Sequence, residues 1–492
     1  MPPRTLLRWD TRQAREGGPE APFLGISEDA RRTLAKLDEV TEPLVLLEGP
    51  DGSGRHCAAC ALHERDRPQA PFLTVDCREV PPHHSEATLF GFLPNHGSPL
   101  AGRGVERGDR IAGAFESAGE GTLLLVEVAA VSRIDQLKLA RTLRTRKVRS
   151  IGDANARPYA ARVVVTTQYD LDALTRAGLF DETLFEVLAA APRVRITPLV
   201  DRAEDIVPLF RRFQAPRPIE KRADVLGRIA ACRWTMEELR EFAEDPRPID
   251  RRLVERELLE AIVADPSDEA SRLVYGDLLL AAGDPRGELI QVQIAAPSTA
   301  MQDEEERLLA AHRTVWCARV LGVVGEAAFR PPVIHFRRGF LAAMHGPSDI
   351  LRRLGMLFRA APALEELELD QDDPTFASSA EGLASPLLAQ LRRLRLNLAE
   401  LGDHGARAMA ACARVGALEE LVLAAATPPD GGRPGNVLVG LEGAHAFASA
   451  SGLAGVGTLV LEGLVRPADH ADVRALFERY FAGRLVLRES PA

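Results

Sequence analysis

The amino-acid sequence predicts an α/β chain with two sheet-containing regions and helices between them. Three observations support this prediction. At residues 44–56 an apolar strand pattern runs into a glycine-rich turn and then into a helical pattern. Four short apolar runs, at residues 44–47, 72–75, 123–126 and 163–166, are separated by segments of helix length, which favours a parallel sheet covered on both faces. Near the C-terminus a leucine pattern recurs every 27 residues, which is typical of stacked repeats.

The composition excludes several classes of protein. The chain has 492 residues, of which 46% are hydrophobic and 27% charged, as in an ordinary soluble protein of about three domains. A net charge of -10 argues against broad contact with phosphate backbones, so we do not expect direct DNA binding. Six cysteines give no disulfide framework, and no apolar run is long enough for a membrane helix. Because no export segment follows Met1, we expect a cytoplasmic protein.

The glycine-rich turn predicts a phosphate-binding loop. Its glycines can adopt backbone angles closed to other residues, so that consecutive amides converge on phosphate oxygens beside a helix N-terminus. A working loop has lysine and then a hydroxyl residue after the last glycine, whereas this sequence has Arg55 and His56. Arginine keeps the charge but is longer and forked, which alters a tight cradle. The residues predicted to hold nucleotide here are Gly49, Asp51, Gly52, Ser53, Gly54, Arg55 and His56.

Five strings in the same order resemble the AAA+ module of the sigma-54-dependent transcription activators, over roughly residues 23–242. The resemblance implies a P-loop domain of three α/β/α layers that binds ATP or ADP and assembles as a homo-oligomer. The matching strings are residues 70–77 (second strand), 88–91 (E-L-F-G), 121–127 (Walker B), 162–168 (sensor I) and 198–206 (P-L-R-x-R-x-E-D-I).

Several positions depart from the pattern of that family. Val126 replaces the Walker B aspartate that would hold the magnesium shell, and valine cannot ligate a hard cation. The adjacent acid is retained as Glu127, the candidate base for water. The arginines that the family lends to a neighbour's nucleotide are Asp181 and Val187 here. Such an arginine is worth about 10³–10⁵ in rate, so its loss predicts a slow or inactive site.

The sensor positions and one loop also differ from the family. Gln168 stands at the sensor I position, and Arg240 is the sensor II candidate in a decayed W-P-G-N-V-R-E-L pattern. Residues 92–110 contain no G-A-F-T-G-A string, which is the family's contact with the sigma factor. Together these departures predict nucleotide binding with little or no hydrolysis, and they argue against a bound magnesium ion. The alternatives are an empty fold kept for assembly, and an active ATPase that remodels a sigma-factor or other complex.

A second resemblance follows a proline-rich linker. Residues 251–300 include the string G-D-P-R-G-E at 283–288 and resemble the repeat-companion domain, a short helical module that accompanies repeat arrays. Apolar residues at helical spacing predict two amphipathic helices there. The predicted domains are a flexible tail (1–22), the degenerate AAA+ domain (23–212), a reduced helical lid with linker (213–250), the repeat-companion module (251–300), a helical connector (301–332) and leucine-rich repeats (333–492).

The C-terminal part resembles leucine-rich repeats of the ribonuclease-inhibitor-like class. Leucine strings begin at Leu364, Leu391 and Leu418, and two more follow after steps of 38 and 26 residues. The longer step accommodates residues 427–435 as an exposed loop. Five strand-plus-helix units predict a short α/β solenoid that binds a protein partner on its concave face.

Alternation along the strands predicts the side chains on that concave face. The first interpretation is that charges of opposite sign form cross-strand ion pairs of about 0.2–1 kcal/mol each. The second is that valines form an apolar stripe for a protein partner. The predicted ion pairs are Glu366–Arg393–Glu420 and Glu368–Arg395, and the predicted partner-binding residues are Glu368, Arg395, Val422, Val460 and Val486.

Two other clusters have simpler interpretations. Cys57 and Cys60 share a helix face near His56 and His63. Small cysteines on a packed helix are commonly core residues, so we predict no metal site. A basic cluster at residues 141–149 is predicted to be a solvated face or a subunit contact.

Overall fold

The structure is a computed structural model of the chain. It describes residues 8–9, 25–80, 82–93, 111–176, 178–214, 220–324, 332–371, 383–399, 401–413, 415, 418–426 and 438–489. The chain divides into two units, Met1–Pro246 and Arg247–Ala492, and each has its own main sheet. In the described part of the chain, no helix combines the length and the apolarity needed to cross a membrane.

The first unit is built on a six-stranded sheet whose order is β1-β3-β4-β7-β2-β8. All its strand pairs are parallel except β1 with β3, which are antiparallel. All four predicted apolar runs lie in this sheet, so the prediction of a parallel α/β sheet is confirmed. The strands are β1 (Arg8–Trp9), β2 (Leu44–Glu48), β3 (Phe72–Asp76), β4 (Thr122–Val126), a separate hairpin of β5 (Lys147–Val148) and β6 (Arg157–Pro158), β7 (Arg162–Thr167) and β8 (Arg193–Arg195).

Helices connect these strands and complete the first unit. The core of the sheet is fully buried, with Val45, Leu124 and Val164 at 0% exposure. Residues 203–244, which include most of the predicted lid, hold three helices. The helices of the unit are Glu28–Glu39, Arg55–Asp66, Pro82–Phe90, Ala114–Ser117, Arg133–Thr145, Leu171–Arg176, Glu182–Ala189, Ala203–Gln214, Ala223–Ala231 and Met236–Glu244.

The parallel sheet determines where a site can form. In an open α/β sheet, ligands bind outside the carboxyl ends of the strands. The glycine-rich loop follows β2, Asp76 ends β3, Glu127 follows β4 and Gln168 follows β7. These residues therefore lie along one edge of the sheet, although they come from four separate parts of the sequence.

The second unit opens with helices Ile249–Ala264, Glu269–Ala281, Arg286–Ile294 and Thr299–Val324. Glycine is required at two positions of the G-D-P-R-G-E string, for a different structural reason at each. Gly283 has φ 74 directly after the second helix, the left-handed conformation that glycine adopts most easily. A Cβ on Gly287 would lie 2.3 Å from the carbonyl oxygen of Gly276, so only glycine permits this close helix contact.

A seven-stranded sheet forms the rest of the second unit, in the order β15-β14-β13-β12-β11-β10-β9. Strands β10 to β15 are parallel, and β9 pairs antiparallel with β10, so the sheet is mixed. The strands are β9 (Val333–Arg337), β10 (Phe340–Pro347), β11 (Glu366–Asp370), β12 (Arg393–Leu398), β13 (Glu420–Ala425), β14 (Thr458–Glu462) and β15 (Arg484–Arg488).

The register of this sheet follows the leucine spacing of the sequence. Leu367 pairs with Leu394, which pairs with Leu421, then Leu459 and finally Leu485. Helices or 3₁₀ turns lie between the successive parallel strands β10 to β15, and the leucines that alternate along these strands enter one buried core. The predicted exposed loop at 427–435 lies outside the described residues. The helices are Leu354–Ala360, Gly402–Cys412, Leu441–Ser449 and His470–Tyr480.

Candidate functional site

A cavity of about 290 Å³ lies at the carboxyl edge of the first sheet. Its lining includes the glycine-rich loop, the ends of β3 and β4, and the helix Met236–Glu244. Two buried polar atoms of the lining, the Thr74 hydroxyl and one oxygen of Glu237, have no hydrogen-bond partner among the described residues. Buried polar atoms without partners favour a site that a ligand completes.

The loop after β2 needs its glycines for both conformation and space. Gly52 and Gly54 have φ values of 72 and 99, in the left-handed region. A Cβ on Gly52 would also lie 2.4 Å from the Cβ of Thr235, and one on Gly49 would lie 2.7 Å from the carbonyl oxygen of Ile196. Gly54 is the N-cap of the helix Arg55–Asp66. The predicted loop residues are therefore brought together at a helix N-terminus.

Arg55, at the position of the usual lysine, is engaged by two carboxylates. Its guanidinium donates hydrogen bonds to Glu127 Oε2 and to Asp51 Oδ1, each with a donor–acceptor distance of 3.4 Å. Only 6% of the residue is exposed. The cation is therefore retained beside the loop, but it is held by two protein carboxylates, one in the loop itself and one directly after β4.

Glu127, the candidate base, is buried and held from several sides. It is 1% exposed and has φ 58, an uncommon value for a residue other than glycine. Its carboxylate accepts hydrogen bonds from the Thr167 hydroxyl at 2.8 Å and from the Gln168 backbone N–H at 3.1 Å. Burial raises the pKa of Glu127, whereas the charges of Arg55 and Arg78 oppose this shift.

The remaining predicted nucleotide residues occupy different places around this cavity. Gln168 contributes its backbone N–H to Glu127. Arg240 lines the cavity, with its guanidinium 3.6 Å from Cys57 Sγ and 5.0 Å above the Phe213 ring. His56 lines it as well and packs edge-on against the Phe72 ring.

Arg78 is a site residue that the sequence analysis missed. Its guanidinium forms a two-point ion pair with Asp76, at 3.0 and 2.7 Å, and a third contact of 3.5 Å with Asp51 Oδ1. Burial favours the neutral form of Arg78, but these carboxylates outweigh it and hold the pKa of the group well above its ordinary value. A signal was available in the sequence, because an arginine stands two residues after the acid that ends an apolar strand.

Asp205 and Arg202 form a second ion pair that the sequence analysis missed, and it contacts the loop after β2. Asp205 is fully buried and accepts hydrogen bonds from the backbone N–H and the hydroxyl of Ser27, both at 2.6 Å, and from Arg202 at 2.9 Å. Arg202 also donates to the Ser53 carbonyl oxygen at 3.3 Å. Both residues occupy matching positions of the P-L-R-x-R-x-E-D-I string, which was the signal for them in the sequence.

In the second unit, the five predicted partner-binding residues form one continuous row. Glu368, Arg395, Val422, Val460 and Val486 are register partners across β11 to β15. Val422 is 9% exposed and Val460 is fully buried, so the expected apolar stripe is accessible only in part. The charged end of the row remains accessible, with side-chain exposures of 40% for Glu368 and 31% for Arg395.

Ion pairs cross this sheet partly as predicted. Arg395 pairs with Glu368 at 3.2 Å and Arg393 with Glu420 at 3.3 Å. Within the described sheet, Glu366 pairs with Arg337 of β9 rather than with Arg393. An additional pair, Arg395 with Glu462 at 2.9 Å, spans from β12 to β14. The sequence could not indicate it, because its partners are separated by a whole strand.

The cysteine cluster and the basic cluster of the sequence have different surroundings. Cys57 and Cys60 pack against the core of the first sheet, as the core interpretation predicted. No group of three or more potential metal-ligating side chains was found among the described residues. In the basic cluster, Arg141, Arg144, Lys147 and Arg149 are exposed. Residues 94–110, most of the segment without the G-A-F-T-G-A string, lie outside the described part of the chain.

Part of the first unit is similar in sequence to known proteins. The family described as Sigma-54 interaction domain matches residues 24–192. The acetoin dehydrogenase operon transcriptional activator AcoR of Bacillus subtilis (strain 168) is 37% identical over 198 residues, which are 39% of this chain and 32% of AcoR. The regulatory protein AtoC of Escherichia coli (strain K12) is 32% identical over 199 residues, 40% of this chain and 41% of AtoC.

The chain therefore spans about a third to two fifths of the length of these relatives. Among solved structures, NtrX from Brucella abortus in complex with ADP is 22% identical, with a TM-score of 0.40, over 61% of this chain and 71% of NtrX. The sequence matches together with the loop and the parallel sheet show that residues 24–192 form a sigma-54 interaction domain of the AAA+ type.

Proposed function

We propose that this chain is a regulatory scaffold with two working parts. Its AAA+ domain binds ATP or ADP with little or no hydrolysis, without magnesium, and supports homo-oligomer assembly. Its second unit is a repeat-companion module followed by a leucine-rich-repeat solenoid that binds a protein partner. We place this scaffold in the cytoplasm and assign it no direct DNA contact.

The environment of Glu127 is the observation that carries the first part of this proposal. A general base must reach the water it activates, but this carboxylate accepts hydrogen bonds from Thr167, Gln168 and Arg55 inside the protein. Val126 supplies no oxygen for a metal. At one of the two lost arginine positions, Asp181 caps a helix through a 2.9 Å hydrogen bond from the Leu184 N–H. These features favour binding without turnover.

A phosphate-release assay tests the loss of hydrolysis. We expect the full chain with ATP and magnesium to release phosphate at the rate of the protein-free control, and Glu127→Gln to leave that rate unchanged. The physical reason is that Glu127 is already saturated by protein donors. Phosphate release well above the control that disappears in Glu127→Gln would overturn this proposal.

An active ATPase that remodels a sigma-factor or other protein complex is the second candidate. The similarity of residues 24–192 to transcriptional activators supports it, and so does the retention of Glu127. The same assay separates the two candidates, because only the active enzyme predicts release that depends on Glu127.

The solenoid part of the proposal rests on the second sheet. Its register repeats the leucine spacing of the sequence, with a leucine core on one face and, on the other, a row that has two charged residues at one end and valines at the other. Charge complementarity at such a face contributes mainly to specificity and association rate. We therefore propose that the charged end of the row, Glu368 and Arg395, contacts the partner together with the accessible part of Val486.

Charge reversal in this row is expected to reduce partner capture. Arg395→Glu places a like charge beside Glu368 and Glu462, so we expect about a tenfold or larger loss of a specifically captured protein in quantitative pull-downs. Arg407→Glu, on the exposed side of the helix Gly402–Cys412, is the matched control. Equal capture by the wild type and by a folded Arg395→Glu would contradict the assignment of this surface.

A further inference from the structure

The magnesium ion implied by the family does not fit the residues at this cavity. Val126 ends β4, and its side chain has no oxygen to offer. Asp76 on β3 is the register partner of Val126 and is an acid. Both oxygens of Asp76 already accept hydrogen bonds from Arg78, at 3.0 and 2.7 Å. A metal would have to displace a buried arginine to reach this carboxylate.

A second acid of the cavity lining, Asp51, is also engaged by arginine. Asp51 lies in the loop after β2, and its Oδ1 atom is 3.5 Å from Arg78 and 3.4 Å from Arg55. Two guanidinium groups thus converge on one carboxylate oxygen, where a working P-loop has a lysine and a divalent ion. Both side chains are largely buried, with exposures of 10% for Arg78 and 7% for Arg55.

Guanidinium groups can perform part of the role of the missing ion. They stay charged at all accessible pH values and present planar donors that match phosphate oxygens in a two-point geometry. The contacts of both arginines with Asp51 are longer than the 2.7–2.9 Å typical of strong charged hydrogen bonds. These contacts are therefore the ones that a phosphate group can replace, while the shorter pair of Arg78 with Asp76 keeps the arginine in place.

We propose that Arg78 takes the place of the magnesium ion, so that this cavity binds a nucleoside diphosphate in its metal-free form. This inference rests on the proposed nucleotide binding of the AAA+ domain. The charge balance favours the diphosphate over the triphosphate. The cavity lining holds one carboxylate more than it holds arginines, so each further phosphate adds repulsion and the triphosphate meets more of it than the diphosphate does. The carboxylates are Asp51, Asp76, Glu79 and Glu237, and the arginines are Arg55, Arg78 and Arg240.

Titration of the full chain with fluorescent ADP, in excess magnesium and in excess EDTA, tests this inference. We expect the two dissociation constants to agree within about threefold, and ATP in EDTA to compete less well than ADP. Arg78→Met is expected to weaken ADP binding in EDTA about tenfold or more, because it removes the charged donor. Arg176→Met, which removes an exposed surface arginine of the same unit, is the matched control and should bind as the wild type does.

Each other result has a distinct meaning. ADP binding that requires magnesium would overturn the replacement of the ion by Arg78, while leaving the proposed nucleotide binding intact. Absence of binding under both conditions would instead overturn the proposed nucleotide binding itself. Because the wild-type comparison of magnesium with EDTA needs no variant, the test stands even if Arg78→Met does not fold. Arg78→Lys, which keeps the charge without the two-point geometry, should show an intermediate loss.

Discussion

Replacing Asp205 with alanine is expected to lower the free energy of unfolding of the first unit by about 3–5 kcal/mol. This is the cost of removing one partner of a buried ion pair. Asp205 is fully buried and accepts from Ser27 and from Arg202. The change would leave the guanidinium of Arg202, itself 4% exposed, without this carboxylate. It would also remove the acceptor that holds Ser27, the N-cap of the helix Glu28–Glu39.

Urea unfolding followed by circular dichroism measures this change. Asp172→Ala is the matched control, because it breaks an exposed pair with Arg176 on the surface of the same unit. Exposed pairs contribute about 0–1 kcal/mol, so the control should unfold almost as the wild type does. Arg202→Met with Asp205→Ala removes the buried cation together with its carboxylate, so the double variant should be more stable than Asp205→Ala alone. Equal stability of Asp205→Ala and the wild type would contradict the assigned role of Asp205.

The first sheet could be predicted because its signals are local. Each apolar run is a few residues long, is bounded by turn residues, and forms a parallel strand in the structure. The glycines of the loop were also predictable, since Gly52 and Gly54 have left-handed backbone angles that few other residues adopt. Local patterns of this kind need no knowledge of the rest of the fold.

The contacts inside the site could not be predicted in the same way. Arg55 and Glu127 are 72 residues apart in sequence, and they meet only because the ends of β2 and β4 lie at one edge of the sheet. Arg78 was overlooked for a related reason, since its importance comes from Asp51 in a different loop. The sequence shows that Val126 stands where the family has an aspartate, but it gives no sign of the ion pair between Arg78 and Asp76 on the neighbouring strand.

The second sheet shows the limit of the alternation argument. The leucine spacing predicted the register correctly, and with it the row from Glu368 to Val486. It did not predict burial, since Val460 is inaccessible although it alternates with core leucines. Alternation gives the face of the sheet on which a side chain lies, whereas exposure also depends on long neighbours such as Arg395, which reaches Glu462 across β13.

The ion pair between Arg55 and Glu127 leads to the second large expected effect. Arg55→Met would leave the Glu127 carboxylate buried without its nearest cation, and we expect a loss of about 3–5 kcal/mol in the free energy of unfolding at neutral pH. The Thr167 and Gln168 hydrogen bonds would remain, but neither brings a positive charge. Thermal or urea unfolding of the full chain, monitored for the first unit, measures this loss.

The pH dependence of Arg55→Met distinguishes a charge effect from a packing effect. Burial raises the pKa of Glu127 above its ordinary value of 4.5, and removing Arg55 takes away a charge that opposes this shift. Between the ordinary pKa and the raised pKa, the folded state then binds more protons than the unfolded state. The free energy of unfolding therefore falls as the pH rises through this interval. The cost of Arg55→Met should therefore shrink between pH 7 and pH 5, and Glu127→Gln should remove this pH dependence from the double variant. A cost that stays constant with pH, or that is the same in the Glu127→Gln background, would instead indicate that Arg55 acts only by filling space.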